Sequence, residues 1–212
     1  MKRKNFVLLA LLSAAFLIGC SKSGDSAKSD LNNEPKPTIK ESQNLDNENN
    51  TQEAEPEVVK INVTSESLTA DGKWLTVINS TDASPAGSNL SPQLSWDEVE
   101  GAGCYAVYMV DNSAGCWLHW LAKNVKVNNL SLGSELEESS YIGPYPPSGT
   151  HEYEVIVYAL KTSPDEYPGV FDNKLVPLST IEKKLDTADG KPGNIIGKGS
   201  ITGTVTVGEV VE

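Results

Sequence analysis

The chain has 212 residues, with 29 acidic against 17 basic side chains and a formal net charge of −12. A molecule this acidic repels phosphate backbones, which excludes nucleic acid as a natural partner. Hydrophobic residues make up 38% of the chain but are unevenly spread, and that unevenness divides it into parts.

Residues 1–19 read as a lipoprotein signal peptide. Lys2, Arg3 and Lys4 precede an apolar run from Phe6 to Ile18, shorter than the ~20 residues a spanning helix needs. Leu17-Ile18-Gly19-Cys20 resembles the lipobox of bacterial lipoproteins, which would make Cys20 the lipid-bearing mature N-terminus. Acyl chains on that residue would hold a globular domain at a membrane without any span. Residues 20–57 then carry the lipidated Cys and an acidic linker rich in Ser, Asn, Glu, Lys and Pro. No aromatic residue occurs between Phe16 and Trp74. A segment of that composition buries too little apolar surface to offset its ordering entropy, so a disordered spacer is expected. Residues 58–212 are ample for one cored domain.

Within that domain, Val59, Ile61 and Val63 alternate with polar residues, the period of a half-buried strand. A second strand is expected over 73–78, then a loop over 80–92 and a short strand at 93–96. Three stronger strands follow over 104–110, 117–123 and 152–160, with loop expected over 124–141. Ser179-Thr180-Ile181-Glu182 has capping-box spacing, which predicts a helix to about Leu185. A last strand is expected over 200–207. Seven or so short strands and one late helix describe a mostly β protein, a single β-sandwich domain.

Both histidines of the chain lie between Asp111 and Tyr153. His119 sits in Cys116-Trp117-Leu118-His119-Trp120-Leu121. His151 follows the turn-rich run Gly143-Pro144-Tyr145-Pro146-Pro147-Ser148-Gly149-Thr150. If these strand ends meet Asp111, two imidazoles and a carboxylate gather around a proline-stiffened loop. Imidazole N–H groups, loop amides and the Tyr153 hydroxyl can donate to an anionic oxygen, and Asp111 can orient one ring.

Taken singly, His119 beside Trp120 also fits a hydrogen-bonded core residue, His151 a surface residue and Asp111 a turn-former. The ordered set changes that balance. Asn89-Leu90-Ser91-Pro92-Gln93-Leu94-Ser95-Trp96, Tyr108-Met109-Val110-Asp111, His119-Trp120 and the run from Gly143 through His151-Glu152-Tyr153 resemble the phosphatidylethanolamine-binding protein family, in its bacterial Raf-kinase-inhibitor-like branch. The resemblance implies a β-sandwich with a small anion pocket. It places Asp111, Trp117, His119, Gly143, Pro144, Tyr145, His151 and Tyr153 at that pocket. Two motifs depart from the family. Asp111-Asn112-Ser113-Ala114 stands where the family has Asp-Pro-Asp-x-Pro, and His151-Glu152-Tyr153 where it has His-Arg-Tyr.

The expected function is a membrane-tethered, extracytoplasmic, non-catalytic module for a small anion or phospholipid headgroup, without metal or cofactor. A protein-binding inhibitor or scaffold built on the same domain is the alternative. A metal-dependent hydrolase is a third reading, weakened because the sequence has no His-x-Asp pair and no Gly-x-Ser-x-Gly elbow. Cys104 and Cys116 would fall at opposite ends of a hairpin, roughly 23 Å apart, which predicts free thiols.

Overall fold

The computed structural model describes residues 57–174 and 177–212. The expected signal peptide, Cys20 and most of the linker lie outside these residues. A six-stranded sheet has the order β1-β9-β8-β4-β5-β7, and a three-stranded sheet the order β2-β3-β6. In chain order the strands are β1 (Val59–Lys60), β2 (Val63–Thr64), β3 (Leu94–Trp96), β4 (Cys104–Asp111), β5 (Trp117–Val125) and β6 (Asn129–Leu130). They continue with β7 (Ser139–Tyr141), β8 (Thr150–Leu160) and, after helix α1 (Leu178–Leu185), β9 (Ile195–Thr206). The mostly β expectation holds.

All eight residues of β4 are buried, because the sheet is covered on both faces. Tyr105, Val107 and Met109 join Val63, Leu94, Trp96 and Leu130 of the smaller sheet in one core. The alternate residues, Ala106, Tyr108 and Val110, pack with Ile156 and Tyr158 against Ile181 and Leu185 of α1. Burying two such aliphatic side chains contributes about 1.5–3 kcal/mol each, and that fastens an eight-residue helix too short to persist alone.

Four expectations are corrected. The strand over 73–78 is replaced by bridges at Lys73 and Trp74 and a 3₁₀ turn at Thr76–Ile78. Tertiary contact decides this, since Trp74 Nε1 donates to the buried Tyr153 carbonyl at 3.2 Å. The presumed loop over 124–141 contains β6 and β7, polar strands that pair with β3 and β5. The Ser179 capping box does not form. The N-cap is Pro177 and no side chain caps the helix. Finally, β9 starts at Ile195 rather than Ser200, its register running the full length of β8.

The β4–β5 hairpin is antiparallel, and Cys104 and Cys116 are both free, as expected.

Candidate functional site

The cluster forms at one end of the larger sheet, on the face turned to the smaller one. Side chains alternate along a strand, so Asp111 shares the face of Met109 on β4, and His151 and Tyr153 share that of Val155 on β8. Asp111 pairs with Tyr153 across the ladder and with Trp117 on its other side.

His119 reaches the same face through a β-bulge. Met109 pairs with Trp120 and Val110 with Leu118, leaving His119 as the extra residue on β5. A bulge of this kind re-aims a side chain. The ring then meets Tyr153 edge-on, with centroids 5.2 Å apart and planes at 82°. The His151 ring lies nearly parallel to Tyr153, at 6.5 Å and 28°. Tyr153 therefore stands against both imidazoles.

Each imidazole has a fixed partner. His151 Nδ1 donates to Asp111 Oδ2 at 2.6 Å, while Asp111 Oδ1 accepts from the Ala114 amide at 3.0 Å. His119 Nδ1 donates to the Ile142 carbonyl at 3.0 Å, and the Ile142 amide donates back to the His119 carbonyl at 2.9 Å. Burial holds the His119 imidazole below its ordinary pKa. Its carbonyl partners and the Asp111 and Asp172 charges oppose that shift. Burial, seconded by the Asp111 charge, pushes the Tyr153 phenol well above its ordinary range. The Tyr153 hydroxyl is sealed and makes no well-formed hydrogen bond, although the Asp111 side chain and the Tyr145 backbone face it.

The proline loop is stapled to the segment around Asn79. Tyr141 Oη donates to the Ile78 carbonyl at 2.8 Å, and the Ser80 amide donates to the Pro144 carbonyl at 3.1 Å. The Gly143 amide donates to Asn89 Oδ1 at 2.7 Å, so that amide is committed within the fold rather than offered to a ligand. Pro144 and Pro146 are buried, whereas Tyr145 stands 54% exposed at the rim. Trp117 is half-buried beside the cluster, its Nε1 donating to Asp172 Oδ1 at 3.1 Å. Glu152 points to the opposite face, where Asn112 Nδ2 donates to it at 3.1 Å.

The structure thus brings Asp111, His119, His151 and Tyr153 together, with Gly143 and Pro144 packed as the loop beneath and Trp117 and Tyr145 at the edges. The arrangement is closed rather than cavernous. Recesses of about 690 and 700 Å³ occur elsewhere, around Lys60 and Ser200 and around Glu166 and Thr180. Sequence reasoning missed three supporting groups: the Ile142 carbonyl, the Asn89 side chain and Asp172. Asn89 opens one of the family-like motifs, so a signal for it existed. The other two depend on tertiary placement alone. Among the described residues, no group of three or more His, Cys, Asp and Glu is arranged to hold a metal ion.

Comparison with known proteins agrees with this fold. The phosphatidylethanolamine-binding protein family model matches residues 65–206. A UPF0098 protein of Methanothermobacter thermautotrophicus is 27% identical over 137 residues, covering 55% of this chain and 83% of the relative. A UPF0098 protein of Chlamydia pneumoniae is 29% identical over 93 residues, covering 35% of this chain and 62% of the relative. Among solved structures, E. coli YbcL, described as a new member of the mammalian PEBP family, superposes with a TM-score of 0.53 at 24% identity. That superposition covers 69% of this chain and 98% of YbcL, and at this identity it speaks for the fold alone. With the matched span containing both imidazoles, Asp111 and the proline loop, this chain belongs to the phosphatidylethanolamine-binding protein family.

Proposed function

We propose that this protein is a non-catalytic binding module that holds a small anion of the phosphate or phospholipid-headgroup type at the His119–His151 cluster, tethered outside the cytoplasm of a bacterial cell by lipid on Cys20. The observation that carries the reading is Tyr153, whose buried hydroxyl makes no well-formed hydrogen bond, standing against both imidazole rings. Buried polar atoms are nearly always paired, so a hydroxyl left without a well-formed bond beside two imidazoles suits a ligand oxygen. Entry is past His151, whose side chain is 15% exposed, and past the half-buried Trp117.

The tether follows from the lipobox-like Leu17-Ile18-Gly19-Cys20 and the linker composition. A scaffold or inhibitor role would use the exposed rim instead and would be indifferent to the imidazoles. Calorimetric titration of inorganic phosphate into wild type and the His119→Ala and His151→Ala variants tests the pocket. Saturable binding lost in both variants supports it, and equal heats in all three exclude it. Detergent phase partitioning of wild type against Cys20→Ser tests the anchor.

A further inference from the structure

We propose that Asn112, Ser113 and Glu152 are positioning residues: from the outer face of the larger sheet they clamp the turn that follows β4, and through Ala114 and Asp111 they aim the His151 ring. The inference rests on the anion-binding reading above and adds to it the residues that hold one of its two imidazoles in place.

Only the residues 112–116 separate Asp111 from Trp117, which face each other across the β4–β5 ladder. The connection contains no proline, so its stiffness has to come from its contacts. It makes a 3₁₀ turn over Asn112–Ala114 and then places two residues in the left-handed region, Gly115 at φ 69° and Cys116 at φ 60°. The second is unusual for a residue with a Cβ and persists only where the surroundings enforce it.

Those surroundings are supplied by β8. The β4–β8 ladder ends at the pair Asp111–Tyr153. One residue further on, the Glu152 amide donates to Ser113 Oγ at 3.0 Å, so a side chain takes over where the strand carbonyls stop. Asn112 Nδ2 adds donations to Glu152 Oε1 at 3.1 Å and to Glu154 Oε2 at 3.3 Å. Each of these contacts ties the turn to the same strand that carries His151.

The effect of the clamp reaches the other face of the sheet. The held turn presents the Ala114 amide to Asp111 Oδ1 at 3.0 Å, which leaves Oδ2 directed at His151 Nδ1 at 2.6 Å. His151 directly precedes Glu152 on β8. The contacts therefore close a ring, from Glu152 through Ser113, Ala114 and Asp111 to His151 and back along the chain. A displacement of the turn is passed to the Asp111–His151 bond, because supporting hydrogen bonds are what lock the rotamer of a site residue. His119 lies outside the ring, held by the Ile142 carbonyl. Asn112, Ser113 and Glu152 are also where the two motifs depart from the family pattern, so both departures fall on one contact.

Proton and nitrogen magnetic resonance of the full-length protein at one fixed neutral pH reads both rings, and His151→Ala assigns them. In Ser113→Ala and in Asn112→Ala the His151 Nδ1 proton should exchange about threefold faster, and in the double variant about tenfold faster, moving upfield as its bond to Asp111 loosens. Ser113→Thr keeps a hydroxyl and should restore the wild-type signal. The His119 Nδ1 proton should stay unchanged throughout, which a general loosening of the domain would not allow. Inorganic phosphate, titrated calorimetrically, should bind the double variant about threefold more weakly or worse. An unmoved His151 proton in the double variant, or equal changes at both rings, overturns the positioning role and leaves the anion site standing. A shifted His151 proton with undiminished phosphate affinity overturns it as well. Wild type that binds no phosphate overturns the anion-binding reading, and the two ring protons then decide the clamp alone.

Discussion

Gly143 is packed so tightly on the Ile78 carbonyl that a Cβ at this position would collide with that oxygen and with the Asn79–Ser80 peptide. These are backbone atoms held by the Tyr141 and Pro144 hydrogen bonds, so they cannot retreat as a flexible side chain would. Gly143→Ala is therefore expected to cost about 2 kcal/mol or more, as overpacking does. Urea denaturation reads this directly, and a loss under ~0.5 kcal/mol would show that the loop has room to move.

The carboxylate of Asp111 serves two hydrogens at once, one on His151 and one on the Ala114 amide. Removing it leaves both without a partner in a site where Asp111 is 3% exposed. Asp111→Ala should cost about 1–3 kcal/mol. A double-mutant cycle with His151→Ala should show coupling of roughly 1 kcal/mol or more. Strict additivity would mean the pair contributes nothing.

His119 titrates below its ordinary value because burial penalises the charged ring. The unfolded chain then binds protons more readily than the native state in this window. Stability from this residue is present above pH ~6.5 and is lost as pH falls through the depressed native value. Unfolding free energies at pH ~7.5 and ~5 should differ more in wild type than in His119→Gln. Imidazole nitrogen shifts should also place the His119 hydrogen on Nδ1 at neutral pH.

The two described thiols should behave differently. Burial pushes the Cys104 thiol up, against a smaller opposing effect of Lys126, whereas Cys116 is only half-buried. Under oxidising conditions no mass change from an intramolecular 104–116 bond is expected. Alkylation should reach Cys116 first and Cys104 only on unfolding. Equal labelling rates in the native state would contradict the burial of β4.

Ser179 follows the N-cap and is exposed, with no capping hydrogen bond to lose. Ser179→Ala should change stability by less than ~0.5 kcal/mol, whereas a true cap would cost ~1 kcal/mol. Thermal melts of the two proteins distinguish these values.

Local chemistry in the sequence was enough for the mostly β class, the strong strands β4, β5 and β8, the late helix and the membership of Asp111, His119, His151 and Tyr153 in one cluster. Alternation and turn residues report burial and chain reversal directly, and the family-like motifs carried the rest. The strand expected over 73–78, the loop expected over 124–141 and the start of the last strand were misread, because propensity yielded there to partners far along the chain: Tyr153 for Trp74, β5 for β7, and β8 for the start of β9. The fixed partner of His119 was hidden for the same reason. A bulge on β5 turns that ring, and a carbonyl 23 residues away accepts its hydrogen. Side-chain periodicity is local and can be read along a chain, but a ladder register and the acceptor opposite a given nitrogen exist only once distant strands have paired.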